Sequence, residues 1–223
     1  MAPENIAKGI EESFSAVIAE RRATPSFDGR PIPDADLKKI LEAGLAAPSG
    51  YNLQPWRFIV VESPEQRRRL RSACFNQAKV EEASAVIVAC GDADGWRNGD
   101  LDEMLRMGRK SGMPEAYAAQ AEANIPGYLM NHPNLPVWIC RQVMIAFTTM
   151  MWMAEVMGYR TAPMEGFESE RVSEVLNLPP SYQVVALLAL GHLFGPEKFN
   201  GGRFPLSRTV FFETYGRSMD FES

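Results

Sequence analysis

Metal-binding and disulfide-forming residues are scarce in this 223-residue chain, which has three cysteines (Cys74, Cys90, Cys140) and two histidines (His132, His192). The cysteines are far apart, odd in number and form no CxxC pair, which argues against a disulfide framework and against a zinc or iron–sulfur site. No metal is expected, and reduced thiols are the simplest state. Several catalytic signatures are also missing. No GxGxxG follows a strand-like run and no GxxxxGK[ST] loop exists, and there is no GxSxG elbow. His192 follows a strand-like run, yet no nucleophile is marked for it, and a lone histidine is more often structural. Positive charge is not in excess either. The formal net charge is −5, which argues against nucleic acid or an anionic membrane as a partner. The segment from Met1 to Phe14 has no basic stretch leading into an apolar one, so no signal peptide and a cytoplasmic location are expected. The most apolar run, Val143 to Ala154, is shorter than the roughly 20 residues that span a bilayer.

What is present points to one globular domain over residues 1–223, with 46% hydrophobic and 23% charged residues. Ile6, Ile10, Phe14, Val17 and Ile18 recur at helical spacing over residues 5–21. Arg21 and Arg22 end that helix; they either complement its dipole or clamp an anion. Asp34 is placed to cap a helix running to Ala47, and Trp56 to Val61 reads as a strand. Ser63-Pro64-Glu65-Gln66 opens another helix as a capping box, and its basic run, Arg67 to Arg69 with Arg71, reads as a solvated face. Ala85 to Cys90 reads as a buried strand. Residues 91–136 read as two weakly amphipathic helices with long connections, closed by Pro126, Pro133 and Pro136. Their Met and aromatic residues either fill gaps or adapt to ligands. Val137 to Gly158 reads as a helix buried on all sides, in the core or across a subunit interface, with Gly158 ending it. Ser169 is placed to cap a helix to Leu176, and Gln183 to Leu190 reads as a strand. Phe211, Phe212, Tyr215 and Phe221 make an aromatic tail that is expected to pack on something.

Between the second helix and the first strand lies Pro48-Ser49-Gly50-Tyr51-Asn52-Leu53-Gln54-Pro55-Trp56. Two prolines and a glycine shape this loop, which presents a hydroxyl and two amides, groups that suit a planar heterocycle. The plainer reading is a turn that caps its own backbone. The motif PSxxNxQPW resembles the cofactor loop of the nitroreductase family. Asn76, the segment PMEGF and GxRFP occur in the family's order, so the resemblance covers nearly the whole chain.

That resemblance implies an α+β fold, a small mixed β-sheet surrounded by helices, in an intertwined homodimer with two FMN sites at the interface. It implies an NAD(P)H-dependent FMN oxidoreductase acting by ping-pong hydride transfer on nitroaromatic, quinone or similar electron-poor acceptors. Other FMN chemistry on the same scaffold (reductive dehalogenation, flavin reduction or destruction) and a non-catalytic flavin-binding protein are the alternatives. Arg21, Arg22 and Arg203 would face the FMN phosphate. Pro48, Ser49, Gly50 and Asn52 would reach the flavin of the other subunit, with Gln54 also at the cofactor and Asn76 on the flavin ring or ribityl chain. Pro163, Met164, Glu165 and Gly166 would lie along it, with the N–H of Glu165 or Gly166 near ring N5. Ala23 and Pro25 would also lie at the cofactor; with Gly201 they depart from the family, standing where a Ser, a basic residue and a Lys are common. Residues 91–136 would be a variable helical segment covering the active site, with Trp96, Tyr117, Tyr128 or Trp138 available to stack on a small aromatic acceptor.

Overall fold

Small and β-branched residues without charge make Ala85–Asp92 (β2) a strand that can be enclosed on both faces, and in the computed structural model it is buried along its whole length. The structure describes residues 3 to 217, and side chains from residue 8 onward. β2 lies inside a four-stranded sheet with Trp56–Val61 (β1), Arg160–Met164 (β3) and Tyr182–Gly191 (β4), in the order β1-β2-β4-β3. All three pairings are antiparallel, so among the described residues the sheet is not mixed as expected. The reason is that the helical connections from β1 to β2 and from β3 to β4 return the chain at the end of the sheet it has just left.

Successive residues of β2 enter opposite cores, as the two-residue repeat of a strand requires. Ile87 and Ala89 pack in one cluster with Asp34–Leu45 (α2) and Leu135–Val156 (α7). Val86, Val88 and Cys90 pack in the other with Pro64–Ala73 (α3), Ala78–Glu82 (α4) and Ser169–Leu176 (α8). Two helices cover the first core: Asp100–Lys110 (α5) and Glu115–Met130 (α6).

Several expectations need correction. α5 is strongly one-sided, with Leu101, Met104 and Leu105 buried. Pro126 does not close a segment but sits inside α6, where it has no N–H to donate to the preceding turn, and Pro136 stands in the first turn of α7, where a missing N–H costs nothing. Asp34 is the first residue of α2 and not its cap; with Asp36 it offsets the helix dipole. Asp36 also accepts from the Tyr159 hydroxyl at 2.8 Å. Ser169 likewise starts α8 without capping it. Ser63 does cap α3, accepting from Gln66 N–H at 3.2 Å, while the Gln66 amide reaches Val175 O instead. β3 escaped the sequence reading because Pro163 interrupts it; as an edge strand it tolerates proline.

α7 is not buried on all sides within one chain. Ile145 and Val156 are exposed, and so are Ile10, Phe14 and Ile18 of Pro3–Glu20 (α1). Phe14 meets Trp152 of α7 edge-on at 5.9 Å. The tail aromatics Phe204 and Tyr215 stand out from the chain; Phe221 and the side chain of Ile6 lie outside the described residues. α7 is long and apolar enough to cross a membrane by length and composition, but one face of it is built into the core, including Phe147 and Met150.

Arg67 overturns the solvated reading of its basic run. Its side chain is buried and donates to three carbonyls: Glu62 O, Glu81 O at 3.0 Å and Ser84 O at 3.0 Å. It thereby ties α3 to the end of β1 and the start of β2. Arg67→Met should leave those buried acceptors unpaired and lower stability by about 2–4 kcal/mol, read as the urea midpoint at unchanged m-value.

Candidate active site

The loop before β1 is bent at three residues that are not glycine: Tyr51 (φ 56°), Asn52 (φ 57°) and Gln54 (φ 49°). Each costs roughly 1–2 kcal/mol in isolation, so the surroundings must enforce the shape. Gly50 N–H donates to Gln142 Oε1 of α7 at 2.8 Å, and the Gln142 amide is itself fixed by donating to Trp138 O at 3.2 Å. The Trp138 ring lies directly under Gly50, where a Cβ would come within 2.7 Å of it. Ser49 Oγ accepts from Gln54 N–H at 3.0 Å, so the loop does cap its own backbone. The Asn52 side chain has no protein partner among the described residues and stands at the surface.

A second strained turn follows α3, at Phe75 (φ 50°) and Asn76 (φ 54°). Gln77, which the sequence reading passed over, fastens this turn to the end of β3 by donating to Gly166 O at 2.9 Å. A Cβ on Gly166 would lie 3.0 Å from that amide, so a side chain there would press on Gln77. The N–H groups of Glu165 and Gly166 have no protein acceptor among the described residues. Pro163 is half-buried, Met164 buried and Glu165 exposed. Cys140 of α7 receives a hydrogen bond from Gln183 at 3.0 Å, and burial, with the nearby Glu165 charge, raises its thiol pKa. One stretch of α7, from Trp138 to Gln142, therefore touches the Gly50 loop and faces the Glu165 turn.

The arginines after α1 divide the two roles open to them. Arg22 donates to Ala19 O at 2.6 Å and Arg21 O at 2.9 Å, closing the helix end. Arg21 lies 5.8 Å from the Trp152 ring, and its Nη1 is buried with no partner. Residues Ala23 and Pro25 flank Thr24, whose N–H donates to Thr161 O at 3.0 Å and so lays this segment beside β3. A cleft of about 370 Å³ is lined there by Glu20, Arg22, Arg160, Glu197, Lys198 and Asn200. Arg203 is not brought into it; it sits in the exposed tail, bonded to Gly202 O. Beneath β3, the buried Glu155 carboxylate accepts from Thr161 N–H at 2.9 Å and from the Thr161 hydroxyl, and pairs with Arg160 at 3.5 Å. Burial raises the Glu155 pKa against those stabilising contacts.

His192 packs edge-on to Tyr159 at 5.3 Å, a structural setting. Of the aromatic residues considered for stacking, Trp138 is buried under Gly50, and Trp96 has its indole N–H buried without a partner. Tyr117 is exposed. Tyr128 meets Trp138 at 6.5 Å and Tyr51, a residue not singled out from sequence, at 5.4 Å.

These groups suit FMN. The orphan Arg21 nitrogen needs an anion or acceptor, the Asn52 amide is uncommitted, and two free N–H groups flank the bare backbone of Gly166.

The Nitroreductase family model matches residues 18–192. A protein of Thermus thermophilus named NADH dehydrogenase is 36% identical over 191 residues, 86% of this chain and 91% of its own. YdgI of Bacillus subtilis, named as an NAD(P)H nitroreductase, is 31% identical over 188 residues, 80% of this chain and 87% of its own. A protein of Exiguobacterium sibiricum, described as a nitroreductase in complex with FMN, is alike in structure with a TM-score of 0.81. It is 28% identical, and the likeness covers 90% of this chain and 97% of that one.

Gly50→Ala should push the loop off Trp138 and cost about 1–3 kcal/mol, seen as a lower melting temperature with altered tryptophan fluorescence. Glu155 supplies a pH test. Its folded pKa is raised, so its contribution to stability is fullest below the ordinary carboxylate pKa and is lost as pH rises through the folded value. Denaturant titrations between about pH 4 and 8 should show Glu155→Gln gaining on the native chain as pH rises; a constant gap would contradict the assignment.

Proposed function

The chain belongs to the nitroreductase family, and from that premise we propose that it is an FMN-dependent oxidoreductase. It takes hydride from NAD(P)H and reduces electron-poor acceptors such as nitroaromatics and quinones. The observation that carries this reading is a set of donors in the two strained-loop regions that have no protein partner among the described residues: the Asn52 amide, and the N–H groups of Glu165 and Gly166. Bound FMN supplies reversible hydride acceptance, which lets donor and acceptor use the same face in turn.

The protein's own groups bind and bias. The N–H groups of Glu165 and Gly166 would hold the flavin ring by donating to it, and donors of that kind would favour its reduced state. Ser49, Asn52, Gln54 and Asn76 hold the ring and ribityl chain, with Pro48 and Gly50 shaping their loop. Arg21, whose buried nitrogen has no partner among the described residues, would meet the phosphate, and Arg22 would reach it only by giving up its bonds to the helix end. Lys198, beside Arg22, would offset the cations missing at Pro25 and Gly201, Arg160 being paired with Glu155 and Glu197, and Arg203 would have to move in from the tail. Tyr51 and Tyr128 form an aromatic edge against which a planar acceptor can stack.

The exposed apolar faces of α1 and α7 and the aromatic tail support a homodimer, because surfaces of that kind rarely stay in water. Each site would then draw on both chains, and the separated chain would be inactive.

The purified protein should be yellow, and its visible bands should bleach under nitrogen with NADH, NADPH or both, then return when a nitrofuran is added. Turnover of a halophenol without the nitrofuran would favour the dehalogenating chemistry instead. A colourless protein that takes up no added FMN would refute the proposal.

A further inference from the structure

A charged cluster outside these loops joins β1, β2 and α5. Arg57 of β1 donates through Nη2 to both carboxylate oxygens of Asp100, at 2.9 and 2.7 Å, and stands 3.2 Å from Asp92 Oδ2. Its Nη1 donates to Trp56 O at 3.0 Å and reaches Gln54 O at 3.5 Å. Asp92 is almost fully enclosed, and its N–H donates to Pro55 O at 2.8 Å. The backbone of Gly95 passes over the cluster. A Cβ there would come 2.2 Å from Asp100 Oδ2 and 2.8 Å from Arg57 Nη2, so no side chain fits above the ion pair.

The two ends of this cluster are the two walls of one cleft. Gln54, the last left-handed residue of the cofactor loop, lines a cleft of about 250 Å³ with Asn52, Arg57, Asp100, Glu103, Met104 and others. Asp100 is the first residue of α5, and Met104 is one turn further on. One guanidinium thus fastens the loop carbonyls, the β2 end and the helix start together. Arginine can do this because its planar fork presents five donors, whereas a lysine at the same place keeps the charge but cannot serve all four partners.

We propose that Arg57 is a positioning residue that couples the FMN loop to α5, so that a filled cofactor site stiffens the helical wall of the neighbouring cleft. This rests on the FMN reading above. FMN fixes Asn52 and Gln54, Gln54 and Trp56 fix the guanidinium, and the guanidinium fixes Asp100. Coupling of this kind is reciprocal, so an acceptor lodged against α5 also tightens FMN.

Hydrogen exchange of the intact protein, with and without FMN, tests it in the native chain, Arg57→Lys and Asp100→Asn. FMN should slow exchange across residues 100–110 of the native protein by about fivefold or more. In both variants FMN should still bind, as shown by the flavin spectrum, yet no longer slow that helix. A merely structural ion pair would raise exchange equally in the empty and filled states and leave the FMN-dependent slowing intact, which would overturn the coupling. So would a native protein that binds FMN with no effect on α5. A native protein that binds no FMN would remove the functional reading and this inference together, and its lack of colour distinguishes that failure from the others. Should Arg57→Lys not fold, the shape-conserving Asp100→Asn decides the matter alone.

Discussion

The hydrogen bond from Gly50 N–H to the Gln142 carboxamide, with the Trp138 ring pressed beneath the same glycine, holds a loop that would not keep its shape unaided. Three left-handed residues in five cost several kcal/mol by the usual scale, and only a rigid support can enforce them. That support is α7. It is rigid because one whole face of it, from Trp138 to Glu155, is locked into the core. The same helix meets two strands of the sheet, through Cys140 to Gln183 of β4 and Glu155 to Thr161 of β3. The candidate site is therefore a set of loops pinned to one helix at successive turns, and the sheet serves mainly to bring them there.

This arrangement explains where polar groups are placed in an apolar helix. Gln142 and Glu155 are the buried polar side chains of α7, and each holds a backbone N–H that would otherwise be unpaired. Glu155 keeps a raised pKa as the consequence of that enclosure. Arg67 performs the equivalent task on the other side of the sheet, collecting three carbonyls where β1 ends and β2 begins.

Much of this was legible in the sequence. β1 and the buried core of β2 follow from composition and period, and the motif PSxxNxQPW marked the loop that proves to be strained. Other features were hidden for physical reasons. Pro163 masks β3, since an edge strand spends nothing on the missing N–H and leaves no other sign. Arg67 looks like its exposed neighbours, because only tertiary contacts reveal the carbonyls it serves. Gln77 and Tyr51 carry no pattern of their own; they matter through contacts with Gly166 and Tyr128, which lie far away in sequence. The helix from Val137 looked buried all round, but Ile145 and Val156 stand open in the single chain. Hydrophobicity by itself does not say whether a face meets its own core or a second copy.

The support that α7 gives to the loop before β1, and the proposed role of that loop, are tested most directly by the FMN affinity of Gln142→Leu, measured by fluorescence titration against the native protein. Removing the acceptor of the Gly50 N–H in a shape-similar way leaves the helix packed but frees the loop. Affinity should fall by about tenfold or more, in line with an unpaired donor costing roughly 1–3 kcal/mol, while the far-ultraviolet circular dichroism stays unchanged. An unaltered affinity would contradict the account, since the loop would then hold its shape without the helix beneath it.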